Sequence, residues 1–192
     1  MGSIVTKNGR PRNYAVEATV GADDPERAGY LYYLDELRER AADQFRDLPA
    51  EVLNHVFDGT TISVGRLALH LCWAELSWME RVAAGRITVP LAPELREEIF
   101  LGSLDRFDQA PPRIERAARI VELYSRTWSE VTMPVCAAVK DLDERIDHPS
   151  LSSVRKVLQH LLWHWTYHSG QIGILTLQLG YDYTWRFADA RS

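Results

Sequence analysis

The sequence predicts an all-α fold, a four-helix bundle with an extended N-terminal arm and a long loop between helices 2 and 3. Four stretches carry apolar residues three and four positions apart, the spacing that lines one face of a helix. Glycine and proline separate these stretches, and no series of short alternating segments predicts a sheet. We therefore assign residues 1–25 to the arm and residues 26–192 to a single bundle domain.

Helices 1 and 2 are bounded by residues that favour helix ends. Helix 1 is predicted over residues 26–46, because Pro25 suits a first helical position and apolar residues recur behind it. Helix 2 is predicted over residues 63–84, and Gly85 is a natural stop behind it. Residues 86–111 contain three prolines and are predicted to form a long connection whose centre has room for a short helix.

Helices 3 and 4 complete the predicted bundle. Helix 3 is predicted over residues 113–142 with a kink at Pro134, which lacks an amide donor and clashes with the preceding turn. Helix 4 is predicted to start near Ser152 or Ser153, which are both good N-caps, and to end at Gly180. The aromatic tail behind Gly180 is expected to pack back on the bundle.

The composition indicates a globular protein of ordinary charge. Of the 192 residues, 46% are apolar and 26% are charged, and the net charge is −5. Acidic and basic residues are mixed along the chain, which argues against a nucleic-acid partner or an anionic membrane surface. The chain shows no secretory signal and no apolar run of about 20 residues, so the cytoplasm is the expected location. Cys72 and Cys136 are expected to stay reduced there, with Cys136 as a small buried hydrophobe.

Helix 4 carries two overlapping HxxxH pairs formed by His160, His164 and His168. Residues four apart lie about 40° apart around a helix, so two such imidazoles can hold one metal ion. His168 falls near the centre of the apolar stripe and His164 on its flank, where buried nitrogens need partners. His70, on the flank of the buried face of helix 2, is the best third ligand. The stripe consists of Val157, Leu161, Ile172, Leu175 and Leu179.

Each of these histidines also has a simpler interpretation. A single histidine on an apolar face is more often a hydrogen-bonded core residue than a metal ligand, so a metal-free interaction bundle remains an alternative. The combination of spacing and facing favours a metal at His164 and His168 more than at His70 alone. His55 in the linker and His148 in the turn before helix 4 are weaker candidates.

The motifs of helices 2 and 4 resemble the DinB-like family and its YfiT-type relatives. Residues 67–82 read LALHLCWAELSWMERV, which is similar to the family pattern LxxHLxxAExxWxxRV. Residues 160–180 read HLLWHWTYHSGQIGILTLQLG, which is similar to the family motif HxxxHxxxHxGQI followed by LG. The resemblance spans about residues 28–185. It implies a four-helix bundle that often dimerises and that holds a metal ion with three histidines.

Carried over position by position, the resemblance makes His70, His164 and His168 the metal ligands and His160 a neighbour of those ligands. Ser169 stands where the family usually has an arginine before the GQ pair, which removes a charge from helix 4. Relatives of this fold are associated with transfer reactions that use low-molecular-weight thiols. The resemblance therefore implies a small-molecule substrate, possible use of such a thiol, and a homodimer.

Three neutral imidazoles suit zinc, nickel, cobalt or ferrous iron, and we expect zinc or nickel. Three protein ligands leave a position for water or substrate, as in catalytic zinc sites. Hydrolysis would need a general base, but Glu75 lies about 140° around helix 2 from His70, so we interpret it as a structural carboxylate. Tyr167 and Gln171 lie nearer the histidine face, where they could position a substrate. The predicted function is a metal-dependent thiol transferase, with a metal-dependent hydrolase or a non-catalytic, stress-related binding bundle as alternatives.

Overall fold

The computed structural model describes residues 4–5, 24–106, 111–181 and 186–187. Its elements, in chain order, are β1 (Ile4–Val5), α1 (Pro25–Phe45), α2 (Ala50–Leu53), α3 (Val64–Ala83), α4 (Pro93–Gly102), α5 (Ala117–Arg126), a π-helix (Thr127–Thr132), α6 (Met133–Ala138), α7 (Val154–Gln178) and β2 (Arg186–Phe187). The four long segments are α1, α3, the continuous run from α5 to α6, and α7. They confirm the predicted all-α four-helix bundle.

Side-chain caps mark the starts of three of these helices. Asp24 accepts hydrogen bonds from two backbone amides in the first turn of α1, where Pro25 occupies the first position. Ser63 and Ser153 each accept one such bond at the starts of α3 and α7. Gly180, with φ at +83°, follows α7 in a conformation that favours glycine. The predicted boundaries of helices 1, 2 and 4 are confirmed to within about two residues.

The long connection between helices 2 and 3 contains, at its centre, the short helix for which the sequence had room, because ten of its residues form α4. Pro93 occupies the first turn of α4, and the buried side chains of Leu95 and Ile99 join the core beside α3. Gly102 lies where a Cβ atom would come within 2.2 Å of Leu69 Cδ1. Glycine at this position therefore allows α4 to pack closely on α3.

The third long helix differs from its prediction at both ends. It begins at Ala117 and ends at Ala138, so it is shorter than the predicted segment of residues 113–142. The turn before Pro134 is a π-helix rather than a simple kink. Pro134 cannot donate to a carbonyl of the preceding turn, and a wider turn accommodates that loss.

The position of α7 decides where the histidines lie. α7 packs along both α1 and α3. Its Trp165 is fully buried, and the Trp165 ring lies 5.0 Å from the ring of Tyr124 in α5. Gln44 of α1 donates a hydrogen bond of 2.7 Å to Ser169 of α7. Where α7 meets α3, His164 lies against His70.

One carboxylate is buried in the core together with a guanidinium group. The Oε2 atom of Glu75 lies 3.7 Å from Nε of Arg38, and Thr132 donates to Oε1 of Glu75 at 2.5 Å. Arg38 also donates to the carbonyl oxygen of Tyr124 at 2.6 Å. Arg38, Glu75 and Thr132 are all buried, and we call them the buried charge cluster. Glu75 is therefore a structural carboxylate, as its position on the helix predicted.

The predicted arm and tail lie almost entirely outside the described residues. Their described parts are β1 and β2, which pair antiparallel with Ile4 opposite Phe187 and Val5 opposite Arg186. This short ladder was not predicted from the sequence, and packing of the tail on the bundle stays a prediction. No helix in the described part of the chain combines the length and the apolarity needed to cross a membrane.

Candidate metal centre

The structure brings His70 of α3 together with His164 and His168 of α7. One ring nitrogen from each histidine lies within 4.8 Å of the other two. The Nε2 atoms of His70 and His164 are 3.1 Å apart. The ring centroids of His164 and His168, four residues apart on one helix, are separated by 4.5 Å. The three predicted ligands therefore form one group, which we call the histidine site.

Hydrogen bonds to the opposite ring nitrogens fix the orientation of two of these rings. Nδ1 of His70 lies 2.6 Å from Oδ2 of Asp105, so a proton on Nδ1 donates to the carboxylate. Nδ1 of His168 lies 2.6 Å from Oε1 of Gln171 and donates to that carbonyl oxygen in the same way. With Nδ1 engaged in both rings, Nε2 is the nitrogen that can bind a metal. A partner of this kind is typical of metal-binding histidines.

Asp105 is the residue of this site that the sequence analysis missed. It follows α4, and its backbone amide donates to the hydroxyl of the fully buried Ser103 at 3.2 Å. Burial would raise the pKa of Asp105, but the hydrogen bonds from His70 and Ser103 act against it, and the pKa lies below its usual value. Asp105 is therefore an ionised acceptor, which suits the task of orienting His70.

Burial favours the neutral form of the two α7 histidines. It lowers the pKa of His164 to about 3, and the neighbouring His70 and His168 lower it further. Burial also lowers the pKa of His168. Among the described residues Nδ1 of His164 has no hydrogen-bond partner. Three converging imidazoles, two of them oriented through Nδ1, are a donor set that fits a divalent transition metal.

The relative burial of the two α7 histidines is the reverse of the prediction. His164 was placed on the flank of the apolar stripe, yet it is only 8% exposed, whereas His168, placed at the centre, is half-buried. The reason is that the rings of His70, His160 and His168 all pack against His164. The buried face of α7 also includes Trp165 and is rotated away from the predicted stripe.

The weaker candidates lie around the site or apart from it. The His160 ring lies 5.6 Å from the His164 ring and 5.5 Å from Trp78, so it is a neighbour of the site. The Tyr167 ring lies 5.0 Å from His168, and Gln171 donates to the Tyr167 hydroxyl at 3.5 Å. The remaining two histidines, His55 and His148, are outside the metal-capable group.

One side of the site remains accessible to solvent. The side chain of His70 is 16% exposed and that of Asp105 is 41% exposed. Tyr167 is more than half exposed and stacks on Trp163, with ring centroids 5.4 Å apart. The edge of the site formed by His70, Asp105 and Tyr167 therefore meets solvent.

A comparison with known families agrees with this geometry. A sequence model described as the DinB family matches residues 26–187, which is more than half of the chain. No curated protein matches the chain. The family match covers both helices that supply the histidines. The chain therefore belongs to the DinB family.

Proposed function

We propose that this protein binds one divalent transition metal through His70, His164 and His168 and that it is a metal-dependent, thiol-dependent transferase. The observation that carries the proposal is the convergence of three imidazoles whose nitrogens lie within 4.8 Å of one another. Zinc and nickel suit such a nitrogen donor set, and we propose one of these two ions. A small-molecule substrate and a homodimer belong to the same proposal.

The layout supports a catalytic site rather than a structural one. Structural zinc sites use four protein ligands and are closed, whereas catalytic sites use three and keep a position open. Here three histidines converge, and the His70 side remains partly exposed. The chain's own groups have distinct tasks: Asp105 and Gln171 orient His70 and His168, and Tyr167 lies at the accessible edge.

The carboxylates near the site favour thiol transfer over hydrolysis. A general base for hydrolysis needs a pKa near the working pH and access to the attacking water. Asp105 has a lowered pKa and is hydrogen-bonded to His70, while Glu75 lies in the buried charge cluster. A bound divalent ion would lower the pKa of a thiol beside it, so that sulfur could react without a carboxylate base.

The proposal is tested by an activity comparison on protein loaded with zinc or nickel. Glutathione and cysteine would be offered with 1-chloro-2,4-dinitrobenzene, in which the sulfur replaces chloride, and p-nitrophenyl acetate would report hydrolysis. We expect thiol-dependent turnover that is lost in His164→Ala/His168→Ala. Ester hydrolysis that needs the histidines but no thiol would instead establish the hydrolase. Binding of metal without turnover in either assay would support the non-catalytic alternative.

A further inference from the structure

A cavity of about 200 Å³ lies between α4 and α5, and none of the three histidines of the metal centre lines it. Its apolar lining comes from α3, from α5 and from the segment before α5. An apolar cavity of about 150 Å³ has room for a benzene molecule, so this one can hold a ring or a short alkyl chain. We call it the α4–α5 cavity, and its apolar side chains include Leu69, Ile114, Ile120 and Leu123.

Hydrogen bonds at two points hold the walls of this cavity in place. The side-chain amide of Asn54 donates to the carbonyl oxygen of Ile114 at 2.8 Å, and Oδ1 of Asn54 accepts from the Ile114 backbone amide at 2.9 Å. Arg119 of α5 donates to both carboxylate oxygens of Glu98 on α4, at 2.9 and 2.6 Å. These bonds fix the segment before α5 and join α4 to α5. The cavity is therefore pre-formed, as small-molecule sites usually are.

The charged lining of the cavity contains one more cation than anions. Three arginines and two glutamates line it. Arg119 pairs with Glu98, and Arg113 lies 3.6 Å from Glu115. The exposed Arg116 makes no hydrogen bond or ion pair with the described residues. A guanidinium group matches the planar geometry of a carboxylate, so Arg116 is available to pair with a carboxylate on a ligand.

We propose that the α4–α5 cavity binds a small monocarboxylic acid, whose apolar body packs on Ile120 and Leu123 and whose carboxylate pairs with Arg116. The inference concerns a second site and does not depend on the metal chemistry. Arg116 directly precedes α5, where the helix dipole also favours an anion. A neutral ligand would forgo the pairing with Arg116, and a ligand of higher negative charge would be repelled by the two glutamates of the lining. One carboxylate on an apolar body therefore fits best.

The test is an NMR titration of the full chain with benzoate, beside acetate and benzamide. Acetate keeps the carboxylate without the ring, and benzamide keeps the ring without the charge. We expect benzoate to bind with a Kd below about 1 mM and each of the other two to bind at least about tenfold more weakly. Nuclear Overhauser effects should connect the ring protons of bound benzoate to the methyl groups of Ile120 and Leu123, which line the cavity.

Variants of the chain test where the carboxylate binds. Arg116→Gln should weaken benzoate binding by about tenfold, because it removes a charge-assisted hydrogen bond. The control Arg81→Gln changes an exposed arginine of α3 outside the cavity and should bind benzoate as the wild type does. His164→Ala/His168→Ala should also bind benzoate with unchanged affinity. That variant separates the α4–α5 cavity from coordination of the carboxylate to a metal ion at the histidine site.

Several results would overturn the proposal. Absence of benzoate binding up to about 10 mM would do so, as would equal affinities for benzoate and benzamide. Equal benzoate affinities in Arg116→Gln and Arg81→Gln would show that Arg116 does not bind the carboxylate. Loss of binding in the histidine variant, or Overhauser effects to residues outside the cavity, would place benzoate elsewhere. None of these results bears on metal binding by the histidine site, which is measured by metal content.

Discussion

The histidine site and the buried charge cluster are both groups of polar side chains within a helical bundle, but they differ in solvent exposure. In the buried charge cluster the side chains of Arg38 and Glu75 are 7% and 1% exposed. In the histidine site the His70 side chain is 16% exposed and its partner Asp105 is 41% exposed. Both groups join helices that are distant in sequence, yet only the histidine site opens outward.

The difference separates a stabilising polar group from a functional one. Arg38 pairs with Glu75 and with Asp35, and the cluster takes its hydrogen bonds from the Tyr124 carbonyl and the Thr132 hydroxyl, so all these partners belong to the protein itself. The histidines instead bring ring nitrogens together, an arrangement that a divalent cation would complete. The account therefore predicts that changes in the cluster alter stability and that changes at the histidine site alter metal binding.

The largest expected effect is on stability. Glu75→Ala removes the buried one of the two carboxylates that pair with Arg38, leaving Asp35, and should lower the free energy of unfolding by about 3 kcal/mol, measured by urea denaturation. The control Glu80→Ala removes a surface carboxylate of the same helix, paired with Arg96, and should cost about 0–1 kcal/mol. Equal losses in the two variants would show that the cluster does not stabilise the fold.

Added metal should stabilise the protein through the histidine site alone. At a free zinc or nickel concentration of 100 times Kd, the free energy of unfolding should rise by about 2.7 kcal/mol. Denaturant titration with and without metal would measure this rise. The variant His164→Ala/His168→Ala should show none of it, whereas Glu80→Ala should show all of it. Equal stabilisation of the histidine variant would place the metal elsewhere.

A smaller effect, on metal affinity, is expected from a change of Asp105, which accepts a hydrogen bond from His70. Asp105→Asn keeps the size of the side chain but removes the charge that orients the ring, so metal affinity should fall by about tenfold. Competition with a chromophoric chelator would measure it. Glu98→Gln changes a carboxylate of similar exposure on α4 and should leave the affinity unchanged. An unchanged metal affinity in Asp105→Asn would mean that Asp105 does not support metal binding through His70.

The smallest effect is expected at Gln171, whose Oε1 accepts from His168. In Gln171→Ala water can replace that acceptor, because His168 is half-buried, so metal affinity should fall by only about threefold. The same chelator competition applies, with the exposed Gln178→Ala of the same helix as control. A loss of metal affinity in Gln171→Ala larger than that in Asp105→Asn would show that Gln171 matters more to the site than Asp105 does.

The features that were predicted correctly from the sequence, helix faces and helix starts, are those that local patterns determine. Spacing along a helix put His164 and His168 on one face, and capping residues marked the starts of the helices. Asp105 could not be predicted, because it meets His70 from 35 residues further along, behind a helix in the connection. Partner choice across the bundle, as between Glu75 and Arg38, likewise depends on packing angles that no local pattern contains.

The most direct test of the central claim is metal analysis of protein purified without an affinity tag or chelator, beside His164→Ala/His168→Ala. The account predicts about one equivalent of zinc or nickel in the wild type, in agreement with one group of three histidines. The variant should lose the metal and keep its helical circular dichroism. A wild type without metal, which neither zinc nor nickel stabilises, would contradict the account and leave a helical bundle with buried histidines.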